Sequence, residues 1–100
     1  MNRNGVDNLE ACVLLTERLG VDLWLFSGPL HESLRERIPQ KFYDAFKVAV
    51  DSALTYEHVH FLDYTDYPLP DSCFRNLNHI NYYGAQVVSP LVNAEIEKFK

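Results

Sequence analysis

Little in this chain of 100 residues invites cross-linking, because its only two cysteines, Cys12 and Cys73, have no C-x-x-C neighbour. Neither a disulfide framework nor a structural zinc site is expected. Cationic charge is also scarce: 9 Lys and Arg stand against 14 Asp and Glu, a net charge of −5. Phosphate-tracking surfaces rest on clustered Lys and Arg, so nucleic acid is not an expected partner. Long apolar runs are missing too. The longest are Val13-Leu14-Leu15 and Leu23 to Phe26, against the ~20 residues of a membrane-spanning helix. The start, Met1-Asn2-Arg3-Asn4-Gly5, lacks the apolar centre of an export signal, which leaves the compartment open. A chain of this length supports one domain and hides roughly 65% of its unfolded surface on folding, so a thin core is expected.

What is present is a regular alternation of elements. Asp7 or Asn8 can cap a helix over about residues 8–19, with Leu9, Cys12, Val13, Leu15 and Leu19 at the spacing of one buried face and Gly20 as its stop. Val21 to Phe26 is short, apolar and aromatic and ends at Ser27-Gly28-Pro29, which predicts a strand buried on both faces. Pro39 suits a helix's first turn. Phe42, Ala45, Phe46, Ala49, Val50 and Ala53 then carry an apolar stripe through a second helix over about 39–54. His58 to Asp63 is a second strand candidate, followed by a loop from Tyr64 to about Asn78. Ala85, Val88, Leu91, Val92, Ile96 and Phe99 trace a last helix, which Pro90 either starts or kinks. The order α-β-α-β-α indicates an α/β fold with a parallel sheet and right-handed crossovers. Stable sheets usually carry about 4–6 strands, so a second chain or an upstream segment is expected to complete this one.

In an open parallel sheet, ligands sit outside the carboxyl ends of the strands. Two loops fall there. One is Ser27-Gly28-Pro29-Leu30-His31-Glu32-Ser33; the other runs from Asp63 through His79. The second ends in Asn76-Leu77-Asn78-His79-Ile80-Asn81-Tyr82-Tyr83-Gly84-Ala85. This resembles the C-terminal motif of SGNH (GDSL-like) hydrolases, in which Asp-x-x-His-Leu-Asn-x-x-Gly-Ala opens the final helix. Upstream, Pro29-Leu30-His31-Glu32-Ser33-Leu34-Arg35-Glu36-Arg37-Ile38-Pro39 is similar to a Pro-x-His-Pro-Ser-x-Arg-x-x-Leu-Pro stretch of some bacterial members, and Phe61-Leu62-Asp63-Tyr64 looks like the strand before their motif. The resemblance covers roughly residues 21–98, and its specific part is the segment from His79 to Ala85.

The resemblance implies a three-layer α/β/α, flavodoxin-like fold, of which residues 1–100 form a single domain corresponding to the C-terminal half. It implies that His79 is the general base of a serine-dependent acyl transfer on O-acyl esters, such as an acetylated polysaccharide. It places Asn76 where the family has the aspartate that orients this histidine, with Asp71 or Asp63 as nearby substitutes. Asn81 and His31 fall where substrate contacts are expected; His31 can equally cap local backbone. No cofactor is implied.

The chain departs from the pattern in two places. Asparagine can hold an imidazole but cannot offset the imidazolium charge. The family's Gly-Asp-Ser nucleophile block is absent, and none of Ser27, Ser33, Ser52, Ser72 and Ser89 lies in a Gly-x-Ser-x-Gly elbow. The chain alone is therefore expected to be inactive, and its length fits the back half of a hydrolase better than a whole one.

Other constellations read more simply. His58 and His60 project from one strand face and could join His31 or His79 around a metal, but His58 lies four residues, about 13 Å, from the strand's end, so no metal site is expected. Tyr56, Tyr64, Tyr67, Tyr82 and Tyr83 invite a sugar-stacking role, with core roofing preferred. Cys73 next to Asp71 is not an expected nucleophile. Glu32, Arg35, Glu36 and Arg37 read as a solvated face. Two functions compete: the base-bearing C-terminal segment of an SGNH-like esterase or acyltransferase, and a non-catalytic, interacting or self-associating module whose open strand edge pairs with another chain.

Overall fold

A computed structural model describes residues 3–99. The chain forms α1 (Arg3–Leu19), β1 (Leu23–Ser27), α2 (Glu32–Arg35), α3 (Gln40–Ala53), β2 (Val59–Asp63), a 3-10 turn (Asp71–Cys73), β3 (Phe74–Asn76), β4 (His79–Ile80) and α4 (Tyr82–Glu97). It is an α/β chain with a short parallel sheet of β1 and β2 and an antiparallel pair of β3 and β4. It divides into two compact units, one built from the chain up to Phe26 and Ile38–Leu62, the other from Ser27–Arg37 and the chain from Asp63 on.

In the first unit, α1 ends where its spacing indicates. Gly20 takes φ +70°, and the Val21 N–H reaches back to the Thr16 carbonyl at 3.1 Å. A left-handed residue is cheap only for glycine, and this closure satisfies the helix's last carbonyls. The core is a cluster of Val13, Ala53 and Val59, with Leu9, Leu23, Leu25 and Tyr56 against it. Fully burying a valine is worth ~1.5–3 kcal/mol. Among the described residues no fully buried hydrophobic side chain is larger than valine, so the expected thinness of the core is a physical fact of the fold.

The structure corrects several expectations here. Helix α1 starts several residues before Asp7. Its buried face centres on Val13, 2% exposed, while Leu15 and Leu19 are more than half exposed and Cys12 is also exposed. The apolar spacing marks a stripe wider than the surface that β1, β2 and α3 cover. Strand β1 was expected to be buried on both faces, yet none of its residues is fully buried and Phe26 is 49% exposed.

In the second unit the expected loop from Tyr64 to Asn78 contains the 3-10 turn and β3. Three-residue strands fall below the length at which alternation can be read. Helix α4 starts at Tyr82, with Asn81 as its cap, and runs through Pro90. Tyr82 and Tyr83 are 71% and 63% exposed, so they do not roof a core. Cys73, expected in a polar loop, is buried. No described helix is long and apolar enough to cross a membrane.

Candidate functional site

The second unit is organised around the hairpin of β3 and β4. Asn76 and His79 face each other across a two-residue connection, Leu77-Asn78. Directly opposed residues of an antiparallel pair send their side chains to the same face, so a spacing of three residues through a tight turn places an amide beside an imidazole. No described non-glycine residue has positive φ. The turn therefore cannot be the type I′ form usual for two-residue hairpins, and the register shift between Phe74 and Asn76 takes up the mismatch.

His79 Nδ1 lies 2.9 Å from Asn76 Oδ1, and the same oxygen accepts the Asn78 backbone N–H at 3.2 Å. A backbone N–H can only donate, so the atom between them is the amide oxygen. The neutral imidazole then carries its proton on Nδ1 and donates it to Asn76. The lone pair is left on Nε2, on a residue that is exposed. This is the arrangement a general base requires: one ring nitrogen held, the other available.

Helix α4 is fixed to the 3-10 turn and to β4 at Asn81 and Gly84. Asn81 Oδ1 accepts the Gly84 N–H at 3.1 Å, Asn81 Nδ2 donates to the Ser72 carbonyl at 2.7 Å, and the Asn81 backbone N–H donates to the Cys73 carbonyl at 2.9 Å. Both ends of the Asn81 side chain, the expected substrate contact, are thus engaged inside the protein. A Cβ on Gly84 would stand 2.5 Å from the Cys73 carbonyl oxygen and 2.8 Å from Ile80 Cβ. Here the motif's glycine is a packing requirement, since a side chain at this position would collide with the 3-10 turn and β4.

His31 adopts the opposite arrangement. Its Nδ1 accepts the Ser33 N–H at 3.1 Å, capping α2, and its Nε2 lies 2.6 Å from Asp71 Oδ1. The neutral ring therefore has its proton on Nε2, donated to Asp71, and no free lone pair. Its backbone N–H donates to the Leu77 carbonyl at 2.9 Å, which ties the first loop to the turn between Asn76 and His79. His31 stands edge-on to Phe74 at 5.2 Å and borders a cleft of about 140 Å³ together with Arg35, Tyr67 and Leu69. Arg35 Nη1 donates to Asp66 at 3.2 Å.

Neither aspartate considered as a stand-in partner serves His79. Asp71 holds His31, and Asp63 Oδ1 accepts the Thr65 N–H at 3.0 Å. The pairing of His31 with Asp71 spans 40 residues, and no spacing in the sequence signals it. Among the described residues no serine is hydrogen-bonded to His79. Ser27 Oγ is 2.6 Å from Thr65 Oγ1.

The remaining histidines belong to the first unit. His58 precedes β2, where its Nε2 is 3.0 Å from the Val13 carbonyl and 2.8 Å from Thr16 Oγ1. His60 stacks on Trp24 at 4.3 Å and stands 3.6 Å from Asp22. The two therefore make separate structural contacts, and no group of three or more metal-ligating side chains occurs among the described residues. Compared with known proteins, this chain matches no family model, no curated protein and no solved structure.

Proposed function

We propose that this chain is the base-bearing part of an SGNH-type esterase or acyltransferase with a flavodoxin-like, three-layer α/β/α architecture, and that it takes its nucleophilic serine from outside these 100 residues. The single observation that carries the reading is the imidazole of His79, oriented through Nδ1 by Asn76 and open at Nε2. In that role Nε2 accepts the proton of the serine hydroxyl as its oxygen attacks an ester carbonyl carbon. It then returns the proton to the departing alkoxide. Asn76 orients the ring without offsetting the positive charge it acquires. In a serine protease the equivalent loss of the carboxylate lowers kcat about 10⁴-fold, so the assembled site is slow.

The test is a p-nitrophenyl acetate assay, on the chain alone and on the chain expressed with a Gly-Asp-Ser segment encoded beside it. Turnover by the combined protein that vanishes in His79→Ala supports the reading. Adjoining coding sequence without such a block, or activity indifferent to His79→Ala, overturns it. The second reading, a non-catalytic interaction module, draws on the same Asn76: its oxygen serves the turn as well as a carboxylate would, but the amide cannot offset the charge of a working base.

A further inference from the structure

His79 stands on a small support. Strands β3 and β4 have three and two residues, and a hairpin left to itself is at best marginally stable in water. The imidazole is exposed, so close packing does not fix the ring. A general base acts through geometry, and a displacement of ~1 Å costs on the order of 100-fold in rate. The backbone on either side of His79 is accordingly tied to segments outside the hairpin.

Both ties lead to His31, within the same compact unit. Two residues before His79, the Leu77 carbonyl accepts the His31 backbone N–H at 2.9 Å. Two residues after it, Asn81 donates to the carbonyls of Ser72 and Cys73 at 2.7 and 2.9 Å. Those carbonyls belong to the 3-10 turn that opens with Asp71, and Asp71 Oδ1 meets His31 Nε2 at 2.6 Å. One residue thus grips the base-bearing segment through its backbone on one flank and through its ring on the other. The ring is already fixed, with Nδ1 on the Ser33 N–H and its edge against Phe74. It therefore loses little freedom in bonding Asp71, which favours this bond although the carboxylate is 92% exposed.

We infer that His31 and Asp71 are positioning residues for His79, a clasp across the two flanks of the base, rather than groups that touch a substrate. The inference rests on the esterase reading for its purpose and on these hydrogen bonds for its geometry. Its test reads the tautomer of His79 in the folded, ¹⁵N-labelled full chain at alkaline pH, where an imidazole is neutral. Asp71→Ala opens the clasp at an exposed position; His31→Asn opens it from the other side and keeps an oxygen to cap α2. Each is expected to lower the ratio of Nδ1–H to Nε2–H His79 about fivefold, the lower end of the coupling between linked sites. Asp71→Asn, which still accepts from His31, restores the ratio. Asp66→Ala, which removes a similarly exposed carboxylate bonded to Arg35, leaves it unchanged. A tie that is only structural lowers the melting temperature of Asp71→Ala and leaves the ratio alone, and that result overturns the inference. An equal change in Asp66→Ala, or no rescue by Asp71→Asn, overturns it as well. The spectra do not depend on turnover. With the expected spectra, an assembled protein that fails to hydrolyse p-nitrophenyl acetate overturns the esterase reading and leaves the clasp standing; with unchanged spectra, an active protein overturns the clasp alone.

Discussion

His79 and His31 hold opposite tautomers: His79 donates from Nδ1 to Asn76 at 2.9 Å and leaves Nε2 open, whereas His31 accepts at Nδ1 from the Ser33 backbone and meets Asp71 through Nε2 at 2.6 Å. The difference follows from the partners. An amide oxygen accepts only, a backbone N–H donates only, and each fixes which ring nitrogen keeps the proton.

A long-range ¹H–¹⁵N spectrum at pH above 8 reads both tautomers at once. His79 is expected to show its unprotonated nitrogen at Nε2 and His31 at Nδ1. Asn76→Ala is expected to shift His79 toward the tautomer mixture of a free imidazole while leaving His31 as it is. Identical tautomers for the two rings in the wild-type chain would contradict the hydrogen-bond assignment.

Gly84→Ala is expected to destabilise the protein by about 1–3 kcal/mol, because the added methyl would stand 2.5 Å from the Cys73 carbonyl oxygen and 2.8 Å from Ile80 Cβ and force one of them, or α4, to shift. For a chain of this size each kcal/mol lowers Tm by about 4–8 °C. Gly20→Ala meets no atom within 4 Å and strains only the backbone at φ +70°, so its cost is about 1 kcal/mol. Thermal melts of the two variants distinguish steric from conformational need for glycine; a milder effect at Gly84 than at Gly20 would refute the packing account.

Asn81→Ala removes the cap of α4 and the tie to the Ser72 carbonyl together. The cap is worth about 1 kcal/mol and a net hydrogen bond a similar amount, which gives an expected loss of about 2 kcal/mol in urea unfolding. Asn81→Ser keeps a capping oxygen and loses the amide donor without setting a second acceptor against the Ser72 carbonyl, so it should fall between wild type and alanine. A serine variant as unstable as alanine would show that the Ser72 tie, not the cap, carries the effect.

On α1, Val13→Ala is expected to cost about 2 kcal/mol, since it empties the centre of the first unit's core. Leu15→Ala, at a position 53% exposed, should stay within about 0.5 kcal/mol of wild type. Chemical denaturation that ranked Leu15 above Val13 would restore the buried face that the spacing alone suggests.

The helix-strand alternation was legible in the residues alone, because periodicity over ten or more residues, the stop at Gly20 and the start at Pro39 are local signals. The pairing of Asn76 with His79 was expected only through the resemblance to the family motif; the β3–β4 hairpin that sets the two side by side was not legible, because its strands are too short to show alternation. The remainder depends on packing. Whether Val13 or Leu15 is buried depends on how much surface β1, β2 and α3 present to α1, which no residue of α1 encodes. That Asp71 serves His31 rather than His79 depends on bringing together residues 40 apart. The engagement of both ends of Asn81 is settled by where the 3-10 turn delivers the carbonyls of Ser72 and Cys73. Local hydrogen-bond chemistry is written in spacing; the allocation of long-range partners is a matter of packing, and packing is fixed only when the whole chain is in place.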